Sequence, residues 1–218
     1  NDFIENNLIK NKNNHLLIDK NSFNKLPIFV RVCVFQVLTN SIGSLRKPQI
    51  ENIKDFLNKE VIGNKCFAIN GFVILNDRDS VIINRKKIKK SVPLELKIGN
   101  NYNFDNYVYN VRKYSKNVRF SSSSDDELID LEAIENKKLI LRYWCSGDRF
   151  KPLGMNGMQK ISDYLINNKI NLFQKDQQTV LTADDQIIWV CGQRIDDSVK
   201  VNNRTKNILR IRRMLKRV

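Results

Sequence analysis

The sequence predicts an α+β fold: a helical N-terminal part with a small sheet, then a compact α+β C-terminal domain with a mostly antiparallel sheet. Three observations lead there. Two apolar runs in the first sixty residues each open on a proline, as helices often do. From Cys66 onward the pattern changes to short alternating runs separated by turn-rich clusters. A polar stretch, Ser121 to Asp126, then separates two blocks of such runs.

The elements follow in order. Residues 1–25 are Asn- and Lys-rich, with an apolar patch at Leu16-Leu17-Ile18, and read as a linker or the tail of an earlier element. Pro27 introduces Ile28 to Leu38, whose length predicts a buried helix despite its β-branched content. Pro48 opens a second helix with Ile50, Ile53, Phe56 and Leu57 on one face and Gly63 just beyond its end. Phe67 to Leu75 and Val81 to Ile83 flank Asn76-Asp77-Arg78-Asp79-Ser80 and predict a hairpin. Leu94, Leu96 and Ile98 alternate with Glu95 and Lys97, and Tyr107, Tyr109 and Val111 alternate likewise. Beyond the polar stretch, strands are expected at Leu139–Trp144, near Thr179–Leu181, at Ile187–Cys191 and near Asn207–Ile211, with a helix near Met158–Asn168. The expected organisation is a helical part over 1–90 ending in a hairpin, a small β segment and linker over 91–129, and a final domain over 130–218.

Composition narrows the partners. The 218 residues carry 38 Lys and Arg against 23 acids, a formal charge of +15. Such an excess favours a polyanion, either nucleic acid or an anionic membrane surface. No apolar run approaches the roughly 20 residues that span a bilayer, and the polar opening Asn1-Asp2-Phe3-Ile4-Glu5 has no signal-peptide core. The absence of an initiator Met suggests an excised or processed chain. Cys33, Cys66, Cys145 and Cys191 lack zinc-ligand spacing and read as small apolar residues of a reducing compartment. His15 is the one histidine and reads as a solvated loop residue.

Catalytic signatures are missing. The glycines do not form a dinucleotide or phosphate-gripping loop, and there is no nucleophile elbow. The carboxylate pairs Asp125-Asp126, Asp184-Asp185 and Asp196-Asp197 read as solvated turn residues. The segment is therefore expected to bind rather than catalyse, with no metal and no cofactor of its own. Cations recur near predicted loops and strand ends at Arg142, Arg149, Lys151, Lys160, Lys169, Arg194, Lys200 and Arg204, and a tail from Lys206 to Arg217 contains six more and no acid. The bland alternative is a solubilising surface with a frayed basic tail. Gly147-Asp148-Arg149-Phe150-Lys151-Pro152-Leu153-Gly154-Met155 argues against it, because residues that stiffen the backbone surround the charges. Trp144 and Trp189 lie in apolar runs and read as core, so duplex backbone recognition is expected rather than base stacking.

That corner also carries a resemblance. Leu139-x-Leu141-Arg142, Gly147-Asp148-Arg149-Phe150-x-Pro152-x-Gly154-Met155, Gly157, Lys160-Ile161-Ser162-Asp163-Tyr164-Leu165, Ile188-Trp189-Val190-x-Gly192-x-Arg194-Ile195-Asp196 and Lys200-Val201 occur in one order. Over 130–201 the chain resembles the C-terminal domain of tRNA(Ile)-lysidine synthetases, and over 26–90 it resembles their middle region more weakly. The resemblance implies the tRNA-binding part of a cytoplasmic, ATP- and Mg-dependent ligase. That ligase adenylates the wobble cytidine of the CAU-anticodon isoleucine tRNA and displaces AMP with free lysine. Its nucleotide-binding Ser-Gly-Gly-x-Asp-Ser loop does not occur here, so no catalytic residue carries over. The resemblance makes Arg142, Arg149, Lys151, Lys160, Arg194 and Lys200 the candidate tRNA contacts, and Asp148, Gly154, Gly157, Ser162 and Asp163 the residues bracing the loop and helix. Gln159 departs from the pattern, standing where many relatives have a second lysine. The competing readings are a free-standing RNA-binding or ribosome-associated module and a protein-interaction domain whose charge serves solubility.

Overall fold

The computed structural model describes residues 9–12, 15–39, 41–59, 61–63, 65–67, 71–85, 91–115 and 118–216. The chain divides into two compact units, Asn1–Ile88 and Lys89–Val218. The strands that begin between residues 91 and 129 lie in the second unit and pair with its later strands.

In the first unit, β1 (Ile9–Lys12), β2 (His15–Asp19), β3 (Lys65–Phe67), β4 (Phe72–Asn76) and β5 (Ser80–Arg85) form an antiparallel sheet in the order β1-β2-β5-β4-β3. The expected hairpin is β4–β5. The stretch read as a linker or tail is β2, because Leu16 to Ile18 find apolar partners in Ile83 to Val81. His15 accordingly starts a strand rather than lying in a loop, and its side chain lies outside the described residues. Asp19 caps α1 (Lys20–Asn24), accepting from the Ser22 amide at 2.8 Å. The two proline-led helices are α2 (Ile28–Leu38) and α3 (Lys47–Lys59). Phe23, Phe35, Ile53, Phe56, Ile74 and Ile83 share their core. α2 is not wholly buried, since Phe29 and Cys33 face solvent one turn apart.

The second unit is layered. β6 (Leu94–Leu96), β10 (Leu139–Tyr143), β13 (Thr179–Ala183), β14 (Gln186–Val190) and β15 (Arg194–Ile195) make one antiparallel sheet, ordered β15-β14-β13-β10-β6. β7 (Asn101–Phe104), β8 (Tyr107–Ser115), β9 (Asp126–Asp130) and β16 (Asn207–Leu215) make the other, ordered β7-β8-β16-β9. Tyr109, Val111, Ile129, Leu209 and Ile211 from the second sheet meet Leu141, Leu181, Ile188 and Trp189 from the first in one core. A smaller core of Phe150, Ile161, Leu165, Val180, Ile187 and Val190 fastens α4 (Ile161–Asn167) and a two-stranded ribbon, β11 (Arg149–Phe150) with β12 (Gln159–Lys160), to the first sheet. A further short helix, α5 (Leu172–Asp176), accepts the Trp144 indole N–H through its Lys175 carbonyl at 2.6 Å.

The expected basic tail is β16, an interior strand paired with β8 over 207–215 and with β9 over 208–212. Its arginines find their acids in the stretch read as a linker. Asp126 accepts from Arg210 at 2.7 and 2.6 Å and from Arg212 at 3.0 Å. Asp125 accepts from Arg213 at 2.6 Å. Arg213 also donates to the Cys191 carbonyl at 3.1 Å and lies 4.3 Å from the Tyr107 ring centroid.

Gly192 explains why that guanidinium fits. Its φ is +73°, and a Cβ there would stand 1.7 Å from Arg213 Nη2 and 2.9 Å from Asp125 Oδ1. Gly192→Ala is expected to cost about 2 kcal/mol or more through backbone strain and displacement of a pinned side chain. Chemical denaturation checks this. An unchanged midpoint would mean that Arg213 moves aside freely.

Candidate nucleic-acid interface

The corner begins with a turn. Cys145 to Asp148 closes through the Asp148 amide to the Cys145 carbonyl at 3.1 Å, with Gly147 at φ +94°. The Asp148 carboxylate completes the turn by accepting from the Cys145 amide at 2.7 Å and from Arg142 at 2.8 and 3.0 Å. Arg142 donates further to the Tyr143 carbonyl at 3.0 Å. This two-pronged, part-buried pair makes Arg142 a clamp rather than the free phosphate contact expected of it.

The ribbon that follows places Arg149 directly opposite Lys160. Both are exposed, and among the described residues neither meets a carboxylate within ion-pair distance. Like charges facing one another across a ribbon repel. Here the scaffold holds them together: Phe150 is fully buried against Tyr164, with ring centroids 5.0 Å apart at 83°, and the Ile161 amide donates to the Asp148 carbonyl at 2.9 Å. Gln159 lies opposite Phe150 and is part-buried, in keeping with a lysine being dispensable there.

A second turn, Pro152 to Met155, closes at 2.9 Å with Gly154 at φ +84°. The pair Asp196-Asp197, expected to be solvated, straps it down. Buried Asp196 accepts from the Lys151 amide at 2.7 Å and caps the short 3₁₀ turn Asp197–Val199 through the Ser198 amide at 2.9 Å. Asp197 accepts from the Gly154 amide at 3.2 Å, from Lys200 at 3.1 Å and from Lys151 at 3.3 Å. The Gly154 amide first, then Lys200, holds its carboxyl below the usual range. Lys151 and Lys200 therefore share one acid instead of standing free. Arg194 is exposed and reaches the Leu153 carbonyl at 3.3 Å without an acid in ion-pair reach among the described residues.

Arg149 and Lys160 thus stand opposite each other as open cations and Arg194 is exposed on β15, whereas Arg142, Lys151 and Lys200 are each tied to an acid. Two bracing residues also differ from expectation. Gly157 has no left-handed backbone and open space around its Cβ position, so nothing there requires glycine. Ser162 does not cap the helix, which starts only at Ile161; its hydroxyl bonds Asp163 at 3.0 Å. Asp163, in the first turn, favours the helix dipole. Met158, where the helix was expected to begin, precedes it and is exposed. Cys145 is exposed, whereas Cys191 is buried, and burial pushes its thiol up to about 11, which leaves it inert at neutral pH.

Sequence reasoning missed Glu127. It stands on β9 opposite fully buried Ile211, hence on the core side of its sheet. Burial pushes its carboxyl up to about 7, with Arg194 opposing and Asp126 reinforcing the rise. The folded state therefore holds this proton up to higher pH than the unfolded chain, and stability falls as pH rises from about 4.5 through 7. Glu127→Gln is expected to raise stability at pH 8 by on the order of 1 kcal/mol, discounted for partial solvation. It should leave pH 4 unchanged. Denaturation at the two pH values, with an identical difference in both proteins, would refute this.

The fold and corner define an antiparallel α+β domain that presents unpaired cations from a braced turn. Within the second unit, residues 139–212 match the sequence pattern of the TilS substrate C-terminal domain family. The chain is 25% identical over 218 aligned residues to a tRNA(Ile)-lysidine synthase of Clostridium perfringens, covering 92% of this chain and 46% of that protein. It is 26% identical to one of Bacteroides thetaiotaomicron over 163 residues, covering 74% and 35%. A crystal structure of a TilS C-terminal domain superposes with a TM-score of 0.52 at 19% identity, over 58% of this chain and 98% of that one, so the likeness there is one of fold. The resemblance read from the motifs is thereby borne out. The chain spans between a third and a half of the length of these curated relatives.

Proposed function

We infer that the second unit docks tRNA through the cationic corner, and that the chain is the tRNA-gripping part of a tRNA(Ile)-lysidine synthase. The observation that carries this reading is the Arg149–Lys160 rung: two exposed cations held face to face with no acid in reach among the described residues. The repulsion destabilises the folded protein only weakly in water, but a phosphate placed between them reverses its sign. Arg194, exposed and bonded to the Leu153 carbonyl, adds a third cation beside the second turn. On this reading the full-length protein is an ATP-dependent ligase joining lysine to the wobble cytidine of the isoleucine tRNA, with ATP and Mg held by the relatives' remaining length. No group of His, Cys, Asp and Glu among the described residues could hold a metal ion, and no helix among them is long and apolar enough to cross a membrane. A cytoplasmic location follows from the proposed substrate.

Fluorescence anisotropy with labelled isoleucine tRNA across a salt series tests the reading. Binding should weaken steeply with salt, with a log–log slope of about −0.9 per phosphate neutralised. Salt-independent binding, or none, would count against it.

A further inference from the structure

Two of the chain's three methionines, Met155 and Met158, are 49% and 57% exposed on the loop that joins β11 to β12. An isolated exposed apolar side chain is ordinary on any surface. This pair differs in its setting. Only Asn156 and Gly157 separate the two, and every residue from 154 to 158 is exposed. A Cβ placed at Gly154 or Gly157 would meet nothing within 4 Å, so the tip of the loop stands clear of the domain.

The base of the same loop is fastened at several points. Pro152 is buried and pairs with Asp196, and Leu153 packs against the main core of the second unit. The Leu153 amide donates to the Ile195 carbonyl at 3.0 Å, and the Asp197 amide donates to the Lys151 carbonyl at 2.8 Å. The Gly154 amide donates to the Asp197 carboxylate, and the Met155 amide to the Pro152 carbonyl. The cations lie at this base: Arg149 faces Lys160 on the ribbon, and Arg194 bonds the Leu153 carbonyl. The loop is thus a braced arm with charge at its foot and two thioether chains at its end.

We propose that Met155 and Met158 form an apolar tip that packs against the ribose faces of the shallow groove of an RNA duplex, while the cations at the foot hold its phosphates. The inference rests on the RNA-docking reading and deepens it: the charges supply attraction that salt screens, and the methionines add contact that salt does not. The shallow groove of an RNA helix is wide and open to side chains, whereas the deep groove is too narrow for them. Unbranched, polarisable methionines adapt to an uneven surface of this kind. Gly157 suits the same use. Nothing inside the protein requires glycine there, and the lack of a side chain lets a ligand come close to the backbone.

The test uses the 218-residue chain and a short RNA hairpin, with affinity followed by anisotropy across a salt series. Met155→Ser with Met158→Ser should weaken binding at least about fivefold at every salt concentration, because apolar contact area is lost. The log–log salt slope should stay that of the parent, because no phosphate contact is removed. Met155→Leu with Met158→Leu, a volume-conserving swap, should bind within about twofold of the parent. Both double variants should unfold at the parent's midpoint, since the side chains are exposed. Parent-like affinity in the serine pair, a changed slope, a lowered midpoint, or a leucine pair as weak as the serine pair overturns the proposal and leaves docking through the cations intact. A dumbbell RNA with both ends closed by loops should show the same serine penalty. Loss of the penalty there would put the methionines on the open duplex end and overturn the groove contact. Failure of the parent to bind the hairpin at low salt would instead overturn the docking reading, and this contact with it.

Discussion

Replacing Arg149 and Lys160 together by alanine is expected to lower tRNA affinity at least about tenfold at low salt, and to reduce the salt slope by about 2, one unit for each phosphate no longer neutralised. The two residues stand opposite one another on a ribbon fastened by a fully buried phenylalanine. The ribbon fixes their backbone positions before RNA arrives, so binding has only the two side chains left to order. Stability should hardly change, because both side chains are exposed and neither is tied to an acid among the described residues. The comparison that gives the experiment its force is Lys25→Ala with Lys59→Ala, which removes the same charge from exposed positions of the first unit. Equal losses from both pairs would reduce the corner to a share of diffuse charge.

Removing the Asp148 carboxylate should have the largest structural effect. Asp148→Ala leaves the part-buried Arg142 guanidinium without its acid and the Cys145 amide without its acceptor. A cost of about 2–3 kcal/mol is expected, since deleting one partner of a partly desolvated pair leaves the other uncompensated. RNA affinity should fall as well, although Asp148 is negative and its loss raises the net charge. That contrary sign separates a bracing role from a charge effect. Combining Asp148→Leu with Arg142→Met should restore most of the stability, because an apolar pair has no orphaned charge. Equilibrium denaturation of the parent, the single variant and the double variant decides the matter. A double variant no more stable than Asp148→Ala would show that the turn depends on something other than this pair.

The α+β class, both proline-led helices and the second unit's principal strands were legible because each rests on a local signal: a periodicity, a proline or a turn cluster. The corner's stiffness was legible for the same reason, since Gly147, Pro152 and Gly154 are local punctuation. What could not be read was long-range pairing. Leu16 to Ile18 looked like a linker because their partners lie more than sixty residues onward in β5. Arg210, Arg212 and Arg213 looked like a loose tail because their acids stand some 84 to 88 residues earlier. Within the site, Lys151 looked free because its acid, Asp197, stands 46 residues onward, whereas the pair Asp197–Lys200 is local, three residues apart, and was passed over. Glu127 gave no signal, as a single acid in a strand has none until its face is known.

The placement of β16 between β8 and β9 has a consequence for biosynthesis. Neither neighbour can pair with the other, and each keeps an open hydrogen-bonding edge until residues 207–215 have left the ribosome. The sheet is finished in one late step that spans a large sequence separation, which slows closure. Until then the two nascent edges can capture strands from other chains. Premature termination between Asp130 and Asn207 would therefore yield a product prone to clumping, not a slightly shortened binder.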